Sequence, residues 1–362
     1  MDKSLAVDMG LGLRITTGIK EKIMRFPTQR RLEKMLETIS GVQQLTVVLH
    51  NNPDPDAIAS GAALKYLLER KVGLQAEVVY QGVIGRAENK ALVDYLDVPL
   101  RQLPDENPQL PENLALVDTH TSAKNNPLSE GGTLPLIVID HHNNHQDDQA
   151  VFSDIRPNVG ATSTMMTEYL RAADCDPPHR LATALLYGIK TDTQALSRNT
   201  TTADVIAYCY LSTLADIDAY LSFDQAQVPA GYFRGLAAAM AGIKVYEGGL
   251  VTTYLPEMSY PDLVAEIADL LLRLEGCQLA ICLGTFEKRL HFSIRSRSDG
   301  VDVEALAQVI AGEDGNAGGR DTIAGGQIPL NDDDPEKLVE AINQRILEFF
   351  NISPEANGEL LS

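Results

Sequence analysis

The sequence lacks any run of about 18 apolar residues, the length that a membrane-spanning helix needs. Its first residues also lack an apolar stretch long enough for a secretion signal, so we expect a cytoplasmic location and no membrane partner. The four cysteines show no CxxC spacing, so neither a zinc knuckle nor a redox pair is supported. What remains is a globular chain of 362 residues, long enough for two domains of ordinary size.

Basic side chains are also scarce. Thirty lysines and arginines against fifty acidic residues give a net charge of -20. A field of that sign repels long polyanions unless a basic pocket or bound cations reverse it locally. We therefore expect no long nucleic acid as a partner. Scattered glutamates are explained by solubility, whereas clustered aspartates and histidines need a separate explanation.

The first half alternates short β-rich runs with helical patterns, the order typical of parallel βαβ units. The predicted strands cover 45–50, 75–80, 113–118 and 135–140, and a clear helical pattern covers 57–71. Continuous apolar strands of this kind imply a sheet covered on both faces, with ligands bound beyond the carboxyl ends of the strands. The fold class is therefore α/β.

Helical patterns dominate from residue 160 to about 214, and a connecting helix with a turn follows in 224–249. A second unit is predicted to contain strands at 250–255, 279–286 and 289–296, helices near 261–274 and 302–311, a glycine-rich loop at 312–326 and a closing helix at 334–350. The predicted domains are an N-terminal extension (1–25), a first domain (26–215), a helical linker (216–235), a second domain (236–352) and a tail (353–362).

Aspartates and histidines lie at the ends of several predicted elements. They are His50, Asp54 and Asp56 after the first strand, Asp118 after the third, Asp140, His141 and His142 after the fourth, and Asp192 in "GIKTDT". Two divalent cations about 4 Å apart need converging anionic oxygens and a carboxylate that bridges them. Imidazoles with an excess of aspartate favour Mn²⁺ or Mg²⁺, and zinc less so.

Simpler explanations exist for each residue alone. "PDPDAIAS" is also a helix start signal, so Asp54 and Asp56 could serve only as caps. An isolated "HH" is most often a solvated pair. Because four separate element ends carry aspartate or histidine, the whole set favours a metal site.

These residues also resemble a family. In order and spacing, "HNNPDPDAIAS", "LVDTH", "VIDHHNN" and "YGIKTDT" are similar to the four motifs of the DHH phosphoesterase superfamily, over about residues 25–215. "HFSIRSR" followed by "GGRDTIAGG" resembles the C-terminal DHH-associated domain of that group. The resemblance implies a parallel-sheet DHH domain, a helical linker and a smaller α/β domain, with the active site in the cleft between the two domains.

The resemblance also implies a role for each motif residue. His50 and Asp54 would bind one metal, while Asp56, His141 and Asp192 would bind the other, and Asp118 would bridge the two. Asp140 would orient a neighbouring histidine, as imidazole ligands usually require. His142 would face the substrate phosphate, as an acid or as a charge-stabilising donor.

Substrate contacts are expected from the second domain. Arg295 would bind phosphate, although a surface ion pair is the alternative. Gly318, Gly319, Arg320, Gly325 and Gly326 form a stretch whose backbone could approach a phosphate closely, or an ordinary mobile turn.

The sequence departs from the family pattern at three places. Relatives usually carry a GGGH-like stretch. Here Arg320 and Asp321 follow the two glycines, so the histidine is missing and Arg320 would be the replacement cation. Gln194 and Ala59 also stand where glycine is common.

Other conspicuous residues are given ordinary roles. We interpret His120 and His145 as polar neighbours of the cleft, His179 as part of a helix cap and His291 as a partly buried strand residue. The stretch 199–204 is predicted to cap the next helix.

The leading expectation is a metal-dependent hydrolase, with two divalent cations, that cleaves phosphoester bonds in a small substrate. The candidates are a short oligoribonucleotide, 3'-phosphoadenosine 5'-phosphate or a cyclic dinucleotide. The alternatives are hydrolysis of pyrophosphate or polyphosphate, and a nucleotide sensor without catalysis. The sequence leaves open whether the protein forms a homodimer.

Overall fold

The computed structural model describes residues 27–105, 107–123, 125–128, 133–143, 149–298, 300–320, 322–331, 334–353 and 358–360. The predicted extension (1–25), His145 and Asp321 lie outside these residues. The chain divides into two compact units, Met1–Ala226 and Gln227–Ser362, and each is described by itself.

The first unit contains a six-stranded sheet in the order β3-β2-β1-β4-β5-β6, with every neighbouring pair parallel. This confirms the predicted parallel α/β fold. The strands are β1 (Gln44–Val48), β2 (Gln75–Tyr80), β3 (Leu100–Gln102), β4 (Leu114–Val117), β5 (Ile137–Asp140) and β6 (Phe152–Ile155).

The helices of this unit are α1 (27–38), α2 (Pro55–Val72), α3 (Ala87–Leu96), α4 (Thr162–Ala172), α5 (His179–Asp192), α6 (Thr202–Ser212) and α7 (Ile217–Phe223). Strong end signals explain α2. Asp54 caps its N-terminus, Pro55 begins the first turn and Gly73 ends the helix with a left-handed φ of 68°.

Both faces of the first sheet are covered, as the continuous apolar strands predict. Val47 packs in a large core with α2, α4 and α5, whereas the next residue, Val48, packs in a smaller core on the opposite face. This alternation follows from the two-residue period of a strand. Tyr220 and Phe223 of α7 are buried in the large core, so part of the sequence predicted as linker packs in the first unit.

The second unit contains a seven-stranded sheet in the order β11-β12-β10-β9-β8-β7-β13, in which β8 and β9 are parallel and the other pairs antiparallel. Its strands are β7 (Lys244–Val245), β8 (Leu250–Leu255), β9 (Leu279–Phe286), β10 (Arg289–Ser296), β11 (Asn316–Arg320), β12 (Ile323–Pro329) and β13 (Glu359–Leu360). Its helices are α8 (Ala230–Ala241), α9 (Leu263–Leu271), α10 (Val303–Ala311) and α11 (Pro335–Phe349), with a 3₁₀ turn at Glu247–Gly249.

The prediction of a loop at 312–326 is wrong. Most of this stretch forms β11 and β12, which pair antiparallel, and β12 continues the sheet beside β10. The glycines of this stretch allow close packing of neighbouring atoms as well as turns of the chain. A Cβ on Gly326 would lie 2.6 Å from the Phe292 ring, and one on Gly319 would lie 2.7 Å from the Ala324 Cβ.

Within the described residues, every helix is too short or too polar to cross a membrane.

Candidate metal centre

The predicted ligands meet at one edge of the first sheet. Strands β1, β4 and β5 are neighbours and run parallel, so their carboxyl ends lie side by side. Helices α2 and α5 bring further residues to the same edge, from the start of one and the end of the other. We call the resulting group the strand-end cluster: His50, Asp54, Asp56, Asp118, His141 and Asp192.

Asp118 lies at the middle of the strand-end cluster. Its Oδ2 is 3.6 Å from Nε2 of His50, and its Oδ1 is 3.6 Å from Nε2 of His141. His50 Nε2 is also 3.7 Å from Asp54 Oδ1, and His141 Nε2 is 3.2 Å from Asp192 Oδ2. The two oxygens of Asp118 therefore face different histidines, as a bridging carboxylate between two cations requires.

The cluster contains two groups of three potential ligands that share no residue. One consists of His50, Asp54 and Asp118, and the other of Asp56, His141 and Asp192, with the ligand atoms of each group within 4.8 Å of one another. A third group joins Asp118 to His141 and His142. The structure thus brings together all six residues for which the sequence predicts metal ligation.

The backbone around this edge adopts unusual conformations. Asp118 has a φ of 60° and Asn52 a φ of 54°, in the left-handed region that aspartate and asparagine tolerate better than most residues. Gln194, just after Asp192, has a φ of 47°, which explains why glycine suits that position in the family pattern. Such conformations concentrate at functional sites, where the surrounding structure holds them.

Both histidines of the cluster are oriented by the backbone. Nδ1 of His50 lies 2.9 Å from the carbonyl oxygen of Asn51, and Nδ1 of His141 lies 3.2 Å from that of Val159. With Nδ1 engaged in this way, Nε2 is the nitrogen that each ring presents to the carboxylates. Metal-binding histidines are commonly oriented by contacts of this kind.

The N-terminal turn of α4 holds Asp56 and Asp118, the two fully buried carboxylates of the strand-end cluster. Backbone N–H groups of Thr162 and Ser163 donate to the two oxygens of Asp56, at 2.6 and 2.7 Å. The hydroxyl of Thr162 donates to Asp118 Oδ1 at 2.7 Å. Sequence reasoning missed this turn, although the hydroxyl-rich helix start "GATST" is the kind of signal that indicates anion binding at a helix N-terminus.

Burial and the neighbouring charges shift the pKa values of the cluster. Burial lowers the pKa of His50, but Asp54 and Asp118 outweigh burial and raise it to about 10. Burial raises the pKa of Asp192 to about 6, and the charge of Asp54 adds to the shift. Burial and the charges of Asp118 and Asp192 likewise raise the pKa of Asp56 well above its usual range. The cluster therefore retains protons that a bound cation would displace.

The unsatisfied atoms of the cluster fit a metal. Among the described residues, Asp118 Oδ2 and His141 Nε2 are buried without a hydrogen-bond partner. Native proteins rarely leave such atoms unpaired unless an ion, water or reaction requires them. Carboxylate and imidazole ligands without thiolates suit a divalent cation such as Mn²⁺ or Mg²⁺.

Asp140 contacts His142 rather than a member of the strand-end cluster. Its Oδ1 accepts the backbone N–H of His142 at 3.2 Å and lies 2.8 Å from Nδ1 of the same residue. On its other side, His120 Nε2 lies 4.0 Å from Asp140 Oδ2. The His142 side chain is 44 % exposed, so it borders the cluster and remains open to a ligand.

The predicted substrate residues of the second unit have structural contacts of their own. Arg295 in β10 is buried, and its guanidinium donates to Asp269 Oδ1 and Ser293 Oγ, both at 2.7 Å. Gly325 and Gly326 of β12 pack against Phe292, whereas a Cβ on Gly318 of β11 would meet no atom within 4 Å. Arg320 ends β11. These residues lie outside the strand-end cluster.

The remaining histidines have local contacts. His179 begins α5, and its Nδ1 lies 2.5 Å from the Leu214 carbonyl oxygen. His291 lies beside the Phe286 ring, and burial lowers its pKa to about 4. The predicted cap at 199–204 is confirmed, because Thr201 and Asp204 form a capping box at the start of α6.

The chain is similar in sequence to several known proteins. The chain is 36% identical over 322 residues to an uncharacterised protein of Methanocaldococcus jannaschii, which covers 86% of this chain and 65% of that protein. It is 31% identical over 185 residues to a protein of Lactiplantibacillus plantarum named "Probable manganese-dependent inorganic pyrophosphatase", covering 50% of this chain and 58% of the relative. A bifunctional oligoribonuclease and PAP phosphatase of Thermus thermophilus is 26% identical over 333 residues, covering 88% and 97%.

A solved structure supports the fold. An exopolyphosphatase-related protein from Bacteroides fragilis superposes with a TM-score of 0.66 at 16% identity, over 89% of this chain and 96% of that one. The manganese named for the pyrophosphatase relative, together with the strand-end cluster, supports a divalent metal in this site.

Family models account for both units. The model of the DHH family N-terminal domain matches residues 44–189, which contain every member of the strand-end cluster except Asp192, and the DHHA1 domain model matches residues 247–348. The two matches together cover more than half of the chain, and they follow the order of the motifs and of the two units. The chain therefore belongs to the DHH family.

Proposed function

We propose that the protein is a metal-dependent phosphoesterase that hydrolyses a small phosphorylated substrate. The observation that supports this most strongly is the convergence of the six side chains of the strand-end cluster, which include two buried atoms that have no hydrogen-bond partner among the described residues. A structural role would leave such atoms paired.

His50, Asp54 and Asp118 would hold one divalent cation, and Asp56, His141, Asp192 and Asp118 the other, with Mn²⁺ preferred over Mg²⁺. When bound, the two cations supply positive charge that lowers the pKa of water and offsets charge on phosphoryl oxygens. The ligand residues fix where that charge lies. The helix N-terminus beneath Asp56 and the carbonyl groups behind the histidines keep the ligands in place.

His142 is the residue that we assign to proton transfer or charge stabilisation. Burial lowers its pKa, but Asp140 outweighs burial and the net direction is upward, so the ring carries a proton more readily than a free imidazole. Because Asp140 engages Nδ1, the other nitrogen can donate to a phosphoryl or leaving-group oxygen. The same oxygen of Asp140 accepts the backbone N–H of His142, so Asp140 holds both the ring and the backbone of this residue.

The substrate is proposed to be a short oligoribonucleotide, 3'-phosphoadenosine 5'-phosphate or a cyclic dinucleotide. The relative from Thermus thermophilus, named as an oligoribonuclease and PAP phosphatase, supports the first two because the match extends over both units. The net charge of -20 also favours a small substrate over a long strand. We assign phosphate binding to Arg295 and to the β11–β12 hairpin, including Gly318 and Arg320.

A second candidate is hydrolysis of pyrophosphate or polyphosphate. The pyrophosphatase relative favours it, and its match covers about half of this chain. The missing histidine after Gly319 agrees with a leaving group other than a nucleotide. This chain spans 65% and 58% of the lengths of the first two relatives described above. The activity and the substrate of the whole protein are therefore proposals.

A substrate panel tests these proposals. Purified protein with Mn²⁺ is incubated with a diribonucleotide, 3'-phosphoadenosine 5'-phosphate, a cyclic dinucleotide and pyrophosphate, and products are separated by chromatography. We expect the highest turnover with a nucleotide substrate. Faster release of phosphate from pyrophosphate would reverse the ranking, and tight binding without any product would instead favour a sensor.

A further inference from the structure

Thr162 contacts two of the proposed metal ligands at once. Its backbone N–H donates to Asp56 Oδ2 at 2.6 Å, and its hydroxyl donates to Asp118 Oδ1 at 2.7 Å. All three residues are fully buried. One residue at the start of α4 therefore connects a ligand from helix α2 to the central ligand that follows strand β4.

The contact with Asp118 anchors one oxygen of that carboxylate. Its Oδ2 is buried with no hydrogen-bond partner among the described residues, whereas Oδ1 accepts the Thr162 hydroxyl. The terminal torsion of an aspartate is broad, so an unanchored carboxylate can rotate. A hydrogen bond from a hydroxyl to an ionised oxygen is strong enough to restrict this rotation.

Another threonine of the same helix shows what an ordinary structural hydroxyl does there. Thr167 is equally buried, and its hydroxyl donates to the carbonyl oxygen of Ser163, four residues back in α4. Helical threonines often make this contact. The hydroxyl of Thr162 instead reaches a carboxylate 44 residues away in the sequence.

We propose that Thr162 is a positioning residue that fixes the Asp118 carboxylate relative to Asp56, and so sets how tightly the pair of cations is held. The inference rests on the proposed metal site and deepens it. Because Thr162 acts through Asp118 and Asp56, its loss weakens metal binding without removing a ligand. Side chains that orient ligands typically contribute about 10–100-fold in metal affinity.

The test compares Thr162→Val with Thr162→Ser and Thr167→Val in the full chain. Valine keeps the shape and the backbone N–H but removes the hydroxyl, and serine restores the hydroxyl. Mn²⁺ binding to metal-free protein is measured by titration calorimetry without substrate. We expect Thr162→Val to weaken at least one Mn²⁺ site by about 10-fold or more, and we expect Thr162→Ser and Thr167→Val to bind like the wild type.

Electron paramagnetic resonance gives a second readout that a general loss of stability would not change. Two Mn²⁺ ions that share a carboxylate are magnetically coupled, and we expect Thr162→Val to lose coupled signal in favour of single ions. Circular dichroism checks folding. If the valine variant does not fold, Thr162→Ala provides the same comparison, because alanine also lacks the hydroxyl and favours a helix.

The outcomes separate the inference from the proposed function. Equal Mn²⁺ affinity and coupling in Thr162→Val and Thr167→Val would overturn the role of Thr162 while leaving the metal site in place. A Thr162→Ser variant as weak as Thr162→Val would do the same, because the hydroxyl would then not be the relevant group. Wild-type protein that binds no Mn²⁺ would overturn the proposed function itself.

Discussion

The first unit contains two clusters of carboxylates, each with a buried aspartate, whose negative charges meet different partners. The arginine-paired cluster consists of Arg31, Asp154, Arg156 and Glu168. There Arg156 donates to both oxygens of Asp154 and to Glu168, and Arg31 and the Tyr169 hydroxyl complete the contacts of Asp154. In the strand-end cluster, the described ion-pair partners of Asp118 and Asp192 are histidines.

The difference shows which cluster has its charges and hydrogen bonds balanced by its own residues. The arginine-paired cluster supplies its own positive charge, and the described residues leave none of its buried side-chain atoms without a hydrogen-bond partner. The strand-end cluster has more carboxylates than histidines, and within the described part of the chain its Asp118 Oδ2 and His141 Nε2 have no hydrogen-bond partner. Proteins depart from full polar satisfaction mainly where function requires it. We infer that the arginine-paired cluster stabilises the fold and that the strand-end cluster needs an external cation.

The largest expected effect is on turnover. Asp118→Asn preserves the shape of the side chain but removes the charge that would bridge two cations. We expect turnover of the preferred substrate to fall more than about 1,000-fold, beyond the 10–100-fold typical of residues that only orient ligands. The fold should survive, because the substitution removes a charge from a crowded acidic cluster. Steady-state kinetics and circular dichroism measure the two quantities.

The matched control for this variant is Asp154→Asn in the arginine-paired cluster. The two substitutions are chemically identical and both sites are buried, so they differ only in what surrounds the carboxylate. Turnover per folded molecule that falls as far in Asp154→Asn as in Asp118→Asn would contradict the division of roles.

The free energy of unfolding should rank the two variants in the reverse order, with the larger loss in Asp154→Asn. Asp154→Asn leaves Arg156 and Arg31 without their main counter-charge, and breaking a buried ion pair costs about 3–5 kcal/mol. Denaturant unfolding of metal-free protein measures this loss. An exposed pair provides the comparison: Arg101 and Glu77 are each about half exposed, so we expect Glu77→Gln to cost less than about 1 kcal/mol. A similar loss in both variants would mean that burial of the pair does not matter.

Much of the fold could be predicted because its signals are local. The strands at 250–255, 279–286 and 289–296 have the bounds that their apolar patterns predict, and α11 (Pro335–Phe349) lies within one residue of the helix predicted at 334–350. The glycines of β11 and β12 misled the prediction, because they leave room for the Phe292 ring of β10 and for Ala324 of the paired strand.

The candidate site likewise contains residues that the sequence predicts and one that it does not. The ligands themselves could be recognised in the sequence, because each lies near the end of a strand or a helix. Aspartate or histidine is unusual at so many such positions at once. Thr162 was not visible, because a threonine at a helix start is ordinary by itself. Only the sheet order, which places β4 between β1 and β5, brings Asp118 within reach of the Thr162 hydroxyl.

The smallest expected effect is on the pH dependence of stability. Besides cations, protons are the other source of positive charge that the strand-end cluster can bind. The pKa of Asp192 rises from its ordinary value of 3.8 to about 6 in the folded protein. Between these values the folded state binds more protons than the unfolded state, so metal-free protein should lose stability as the pH rises. A single group contributes at most about 1.4 kcal/mol per pH unit.

Unfolding in the presence of a chelator at about pH 5 and pH 6 measures this dependence. We expect Asp192→Asn to lose part of the slope and the exposed-site control Asp97→Asn to keep it. Added Mn²⁺ should act in the opposite direction and stabilise the wild type more at the higher pH, because metal ligands must lose their protons. An unchanged slope in Asp192→Asn would show that this carboxyl holds no extra proton, and the contrast with the arginine-paired cluster would then rest on geometry alone.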